Sequence, residues 1–350
     1  MLLHHSLLVV PSLAAPYFGE PVGGGAGVLV YTPLHVIWAG TEAVYLFFVL
    51  SGLVLALSAN SRSFHWSSYF PSRIVRLYLP VIGAVILGAV VIALTPAAQP
   101  DDSLWVRRRP GDYDLPGLVT DALLVAGTSG RITPLWSLQW EILFSLLLPL
   151  YIYAARRIHA GVQIATYLAL STLGAYAGVF SLKFLPMFGI GVALATAWDG
   201  LSDRISKLRP RTAAVAWTLA LLVAVLMVTA DWTTRSFLPS GPGRLLMLPV
   251  ILVGVCVIIV AAAHAPLVTR LLSSRPFAFL GLISFSLYLV HEPIVVAIER
   301  LIPTPAFVVF VAVPVCIAVA AGFWYVIERP SHRLARRMKA RTDERRRLAV

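Results

Sequence analysis

Apolar stretches long enough to cross a bilayer recur along nearly the whole chain, and they constrain its fold more than any single motif. A segment of about 17–25 predominantly apolar residues can span the hydrocarbon core. Ten candidates stand at 2–15, 39–58, 72–95, 136–155, 162–179, 183–198, 213–230, 244–264, 278–299 and 305–328. Hydrophobic residues make up 59% of the 350, with a mean hydropathy of +0.83, where a soluble domain carries about 45–50% apolar residues. The pattern predicts an all-α, polytopic membrane bundle of about ten helices over 1–330, followed by a basic tail at 331–350.

The charge pattern orients the bundle. The net charge is +12. Its densest cluster, Arg333, Arg336, Arg337, Lys339, Arg341, Arg345, Arg346 and Arg347, directly follows the last apolar run. A basic segment in that place suits a cytoplasmic position against anionic lipid. With both termini inside, most Lys and Arg fall on the cytoplasmic side, which predicts N-in/C-in. Arg107, Arg108 and Arg109 are the exception, and they lie in the longest connection, 96–135, where the rule weakens. The expected partner is therefore the lipid bilayer, with no nucleic acid. Cys256 and Cys316 sit within apolar runs and read as small buried hydrophobes.

The first candidate span is short. At 1.5 Å per residue, 2–15 rises only about 21 Å against a core of about 30 Å. This points to a start upstream of Met1. The alternative is a cleaved signal peptide with Leu7–Val10 as its apolar core, although it would lack a basic leading region.

Ionisable side chains inside spans are costly, so they usually face the bundle interior and mark a site. The pair His4-His5 is the first example. A neutral imidazole is cheaper to bury than lysine and can accept a proton, so the pair is either a base within the core or an interfacial pair. Glu141, in Trp136-Ser137-Leu138-Gln139-Trp140-Glu141, needs a partner at its depth. It is either functional or a structural hydrogen-bonding group.

Arg73 and Arg76, at i and i+3, share a helix face. Two guanidiniums there either hold a phosphate-bearing ligand from the cytosol or anchor the span. His291-Glu292-Pro293 interrupts the ninth span, as a Pro-kinked polar spot or as support for the site. Glu42 reads as interfacial, and Glu328 as a helix-end contact. Ser51-Gly52 permits close helix approach or a local kink. The stretch 96–117 is rich in Pro, Asp, Arg and Gly and reads as an irregular connection. The sequence contains no His-Glu-x-x-His and no Cys-x-x-Cys, so no metal site is predicted. It also lacks Gly-x-Ser-x-Gly.

In order, these pieces resemble the integral-membrane acyltransferase family 3. Leu3-His4-His5 looks like the end of that family's first-span motif, an arginine followed ten residues later by histidine. Phe47-Phe48-Val49-Leu50-Ser51-Gly52 matches the second-span motif. Arg73 and Arg76 fall on its Arg-x-x-Arg element. Trp136-Ser137-Leu138-Gln139-Trp140-Glu141 matches Trp-Ser-Leu-x-x-Glu. Ile283-Ser284-Phe285-Ser286-Leu287-Tyr288-Leu289-Val290-His291 resembles the ninth-span motif, and Tyr325-Val326-Ile327-Glu328-Arg329-Pro330 the last. The chain departs from the pattern twice. The position of the first motif's arginine falls before residue 1, and Tyr45 stands where an acidic residue often precedes Phe-Phe.

The resemblance implies a membrane O-acyltransferase. An acyl group, most simply acetyl, would pass from acyl-CoA (acetyl-CoA) as co-substrate, with no permanently bound cofactor, to a hydroxyl of a carbohydrate or glycoside acceptor. His5, favoured over His4 by the family spacing, would be the general base or the acyl carrier. Glu141 would orient the imidazole or the acceptor, and Arg73 and Arg76 would hold the donor's phosphates. His4, Trp136, Ser137 and His291 would support the site. The implied location is a bacterial cytoplasmic membrane. A transporter or flippase of a lipid-linked sugar, or an inactive relative, would carry the same spans.

Overall fold

The computed structural model describes residues 1–61, 64–235, 237–238, 241–302 and 304–348. All regular elements among them are helical. In lipid the backbone must satisfy its own polar groups, and a helix does so within one segment. Among the described residues, seven helices are long and apolar enough to cross a membrane: Gly40–Ala59, Trp66–Leu94, Leu135–Ala155, Phe180–Ser206, Pro210–Val228, Gly243–His264 and Phe307–Asp343. An eighth arises if Arg275–Leu282 and Ser284–Leu301, bent by 72°, count as one span. The sequence pattern suggests ten. Of the other two, 2–15 is divided into short helices, Leu2–Leu7 and Pro11–Ala14. Pro11 lacks the N–H that would continue the first. The other, around 162–179, is the helix Ala160–Ala177, in which Gln163, Ser171 and Thr172 dilute the apolar run.

The chain forms two compact units. One comprises Gly27–Arg62 and Leu146–Phe279. Within it the helices Gly40–Ala59 and Phe180–Ser206 meet backbone to backbone. A Cβ at Gly52 would lie 2.0 Å from the Phe188 carbonyl oxygen, and one at Gly191 would lie 1.9 Å from that of Val49. The Phe48 ring packs on Phe188 at 4.6 Å beside this crossing. Ser51-Gly52 therefore serves packing.

The other unit comprises Met1–Ala26, Ser63–Ser145 and Leu280–Val350. Its long connection is more ordered than its composition predicts. Ser103 caps a short helix, Leu104–Arg107, and its hydroxyl also donates to the Leu8 carbonyl at 2.7 Å. Asp114 caps a second helix, Leu115–Leu123. The buried Asp121 carboxylate is saturated by Tyr113 Oη at 2.5 Å and by Ser129 N and Oγ at 2.6 and 2.5 Å. Burial and this carboxylate push the Tyr113 phenol above its ordinary pKa.

The chain's basic tail is also ordered. Through the π-helical turn Trp324–Glu328 it continues as the helix Arg329–Leu348, which packs along Trp66–Leu94. Residues 349 and 350 of the predicted tail lie outside the described residues.

Candidate active site

A polar seam runs down the helix Leu135–Ala155. Ser137, Glu141 and Ser145 stand four residues apart, which places them on one helix face, and Thr133 precedes them in the turn before the helix. From Ser137 to Ser145 the seam covers roughly 12 Å at the helical rise. Ser137, Glu141 and Ser145 are buried, so each needs a partner.

At one end of the seam, Arg73 on Trp66–Leu94 pairs with Glu141 through Nη2 and Oε1, and its Nε donates to Ser145 Oγ at 3.2 Å. Ser145 Oγ in turn donates to the Glu141 carbonyl at 2.7 Å. Glu141 Oε2 is buried without a hydrogen bond among the described residues. One turn on, Arg76 is exposed.

In the middle of the seam, Ser137 Oγ lies 2.6 Å from Tyr288 Oη, and that phenol donates to the Pro134 carbonyl at 2.9 Å. Trp136 is half-buried on the same helix.

At the other end, Glu292 accepts from Thr133 N and Oγ1, both at 2.5 Å, and pairs with Arg109 Nη1 at 3.1 Å. Arg300 donates to the Arg109 carbonyl at 2.8 Å. A small cavity beside this pair is lined by Thr95, Arg109, Arg131, Glu292, Pro293 and Arg300. The ionic network therefore joins the long connection to the helix that carries His291.

His291 is fully buried, and its Nδ1 lies 2.9 Å from the carbonyls of both Leu287 and Tyr288. A nitrogen facing two acceptors carries the hydrogen. In neutral imidazole the other nitrogen is then an acceptor. That nitrogen, Nε2, lies 3.0 Å from Nδ1 of His5, so His5 donates to it. The same logic leaves Nε2 of His5 with its lone pair. The two rings stack at 4.9 Å and 17°. Trp105 covers His5 at 5.1 Å, and His4 packs between His5 and Tyr17, with centroids at 5.3 and 5.2 Å. The arrangement holds a proton acceptor at a fixed atom, oriented by two neutral rings and a backbone.

The residues singled out in the sequence thus fall into two groups along one seam. His4, His5 and His291 meet at one end; Glu141 and Arg73 meet at the other, with Ser137 between. No hydrogen bond joins Glu141 to His5 among the described residues. The His5 partner is His291, and Glu141 holds Arg73. Sequence reasoning missed Trp105, Arg109, Thr133, Ser145 and Tyr288. The four-residue spacing of Thr133, Ser137, Glu141 and Ser145 was a visible signal for two of them. Among the described residues no group of three or more His, Cys, Asp or Glu is placed to hold a metal ion.

Known sequences decide the family. The profile of the acyltransferase domain family Acyl_transf_3 matches residues 1–329. The chain belongs to this acyltransferase family. Among its relatives is an acyltransferase, MdmB, from Streptomyces mycarofaciens, 33% identical over 133 residues, 36% of this chain and 32% of that protein. The O-acetyltransferase PaAT-1 from Phomopsis amygdali is 22% identical over 355 aligned positions, 82% of this chain and 69% of that protein. The match to the first spans about a third of that relative's length. No solved structure matches this family member significantly.

Proposed function

We propose that the chain is a membrane O-acyltransferase that moves an acyl group, most simply acetyl, from cytosolic acyl-CoA to a hydroxyl of a carbohydrate or glycoside. The observation that carries this reading is the lone pair left on His5 Nε2 by the hydrogen bond from His5 Nδ1 to His291. A positioned base of that kind accelerates a proton transfer by about 10²–10⁴.

The acceptor oxygen attacks the thioester carbonyl carbon while Nε2 of His5 takes its proton. The C–S bond of the tetrahedral intermediate then breaks. The imidazolium returns the proton to the departing thiolate, giving free CoA and the ester. His291 positions the base and accepts the Nδ1 hydrogen bond of the imidazolium. Glu141 fixes Arg73 at the far end of the seam.

The separation along the seam supports an acyl-CoA donor. The Arg73–Arg76 pair lies toward one end of the seam and the base toward the other, which suits a ligand whose phosphates and thioester are joined by a long flexible arm. In this reading the basic end faces the cytosol, both termini are inside, and Leu2–Ala14 and Ala160–Ala177 complete a ten-segment core. A bacterial cytoplasmic membrane would supply donor on one side and envelope glycans on the other.

The test is release of CoA from acetyl-CoA by membranes carrying the protein, with glycan extracts as acceptor. Acceptor-dependent release that disappears in His5→Ala is the expected result. Equal release by wild type and His5→Ala would remove the base assignment, and the absence of acceptor acylation by wild type would remove the reaction.

A further inference from the structure

Within the Arg73–Arg76 pair, only Arg73 has a hydrogen-bonding or ionic partner among the described residues. Its charge is met by Glu141, and its Nε is used by Ser145. Arg76 has no hydrogen bond or ion pair among the described residues. The nearby carboxylate of Glu328 is engaged elsewhere. Its Oε2 accepts from Ser286 N at 3.1 Å and Ser286 Oγ at 2.5 Å, and its Oε1 lies 3.7 Å from His332 Nε2.

His332 and Arg336 stand four residues apart, so the helix Arg329–Leu348 presents them on one face, and Glu328 ends the π-helical turn just before it. Ser331 and Ala335 beside that face are buried, and this helix packs on the one that carries Arg76. Arg336 is exposed, has no ion pair of its own among the described residues, and stands on the helix that packs along the one carrying Arg76. Two unpaired guanidiniums held near one another repel until an anion lies between them. Their planar forks match phosphate oxygens in a bidentate manner.

We propose that Arg336, on the helix that follows the last span, joins Arg76 to form a phosphate clamp, and that the clamp takes the phosphorylated nucleotide head of the acyl donor. The inference rests on the acyl-CoA reading above. It divides the pair's labour, with Arg73 a buried post for Glu141 and Arg76 the anion ligand. It also gives the basic tail a role in donor recognition. A phospholipid headgroup offers the same phosphate chemistry, so the experiment separates the two sources.

The full chain is placed in nanodiscs of zwitterionic lipid, and binding of CoA is measured by calorimetry alongside acetyl-CoA turnover. Losing a charge-assisted contact of this kind weakens binding by about tenfold or more. Arg336→Ala and Arg76→Ala are each expected to raise the CoA dissociation constant by at least that factor, and their combination by less than the product. Arg336→Lys is expected to recover only part of the affinity, and Arg337→Ala to leave it unchanged. KM for acetyl-CoA should rise with kcat largely retained.

Wild-type CoA affinity in Arg336→Ala would overturn the clamp while leaving the donor reading intact. So would an effect that appears only when anionic lipid is added to the disc, because the headgroup would then be the ligand. If wild type itself neither binds CoA nor consumes acetyl-CoA, the donor reading falls first, and the two failures are told apart. A thermal midpoint matching wild type in Arg336→Ala confirms that the fold is retained.

Discussion

Nδ1 of His5 donates to Nε2 of His291 at 3.0 Å, across 286 positions of sequence. The hydrogen bonds of His291 to two main-chain carbonyls fix the direction of that donation. The tautomer of His5 is thus set by backbone atoms of another helix, two steps removed.

Removing either ring should act on turnover. His5→Ala is expected to lower kcat by about 10²–10⁴ with donor affinity retained. His291→Ala should give a smaller loss, because the base remains but its orientation is lost. His291→Gln, which can donate and accept at similar positions, should recover part of the rate. Steady-state kinetics on purified protein would decide this, and full activity in His291→Ala would remove the positioning role.

Acid should switch the pair off. Protonation of His5 occupies the lone pair that must accept, and protonation of His291 sets two N–H donors against each other at 3.0 Å. Both changes act in the same direction, so kcat/KM should fall as pH is lowered and rise to a plateau as it is raised. A profile that rises on acidification would contradict the assignment.

Arg73 and Glu141 should be thermodynamically coupled. Breaking a buried ion pair by removing one partner costs about 3–5 kcal/mol, because it strands the other charge. Arg73 retains 15% side-chain exposure, which places its loss at the low end. Glu141→Ala and Arg73→Ala should each lower the thermal midpoint, and the double variant should be less destabilised than the sum. Strict additivity in that cycle would show that the contact contributes nothing.

Gly191→Val should disrupt the helix crossing in the unit that holds Gly52. The added Cβ would fall 1.9 Å from the Val49 carbonyl oxygen, and backbone cannot yield as a side chain does. Overpacking costs about 1–3 kcal/mol where neighbours can shift, and here at least the upper end is expected. A thermal midpoint equal to that of wild type would refute the close approach.

Much of the site was legible in the sequence because charge is rare in apolar spans. Glu141, His5 and Arg73 stand out against their neighbours for that reason alone. Their pairing was not legible. Glu141 faces Arg73 and not the imidazole because the rotations of two helices bring Ser145 and Glu141 to the same guanidinium. Trp105 and Arg109 lie in a connection whose composition suggests irregular chain, yet Ser103 and Asp114 cap helices that bring both against the site. The tail shows the same limit. Its charge is obvious in the sequence, but its packing along Trp66–Leu94 depends on small buried positions such as Ala335.

The sequence by itself determined that the chain is helical and membrane-embedded, and which few polar residues its apolar spans would have to accommodate. Hydropathy and burial cost are properties of each segment, so they can be read locally. Which imidazole carries its hydrogen on which nitrogen, and which arginine pairs with Glu141, was decided only by tertiary structure. A hydrogen bond or an ion pair belongs to two groups at once, and distant helices must pack before either partner exists.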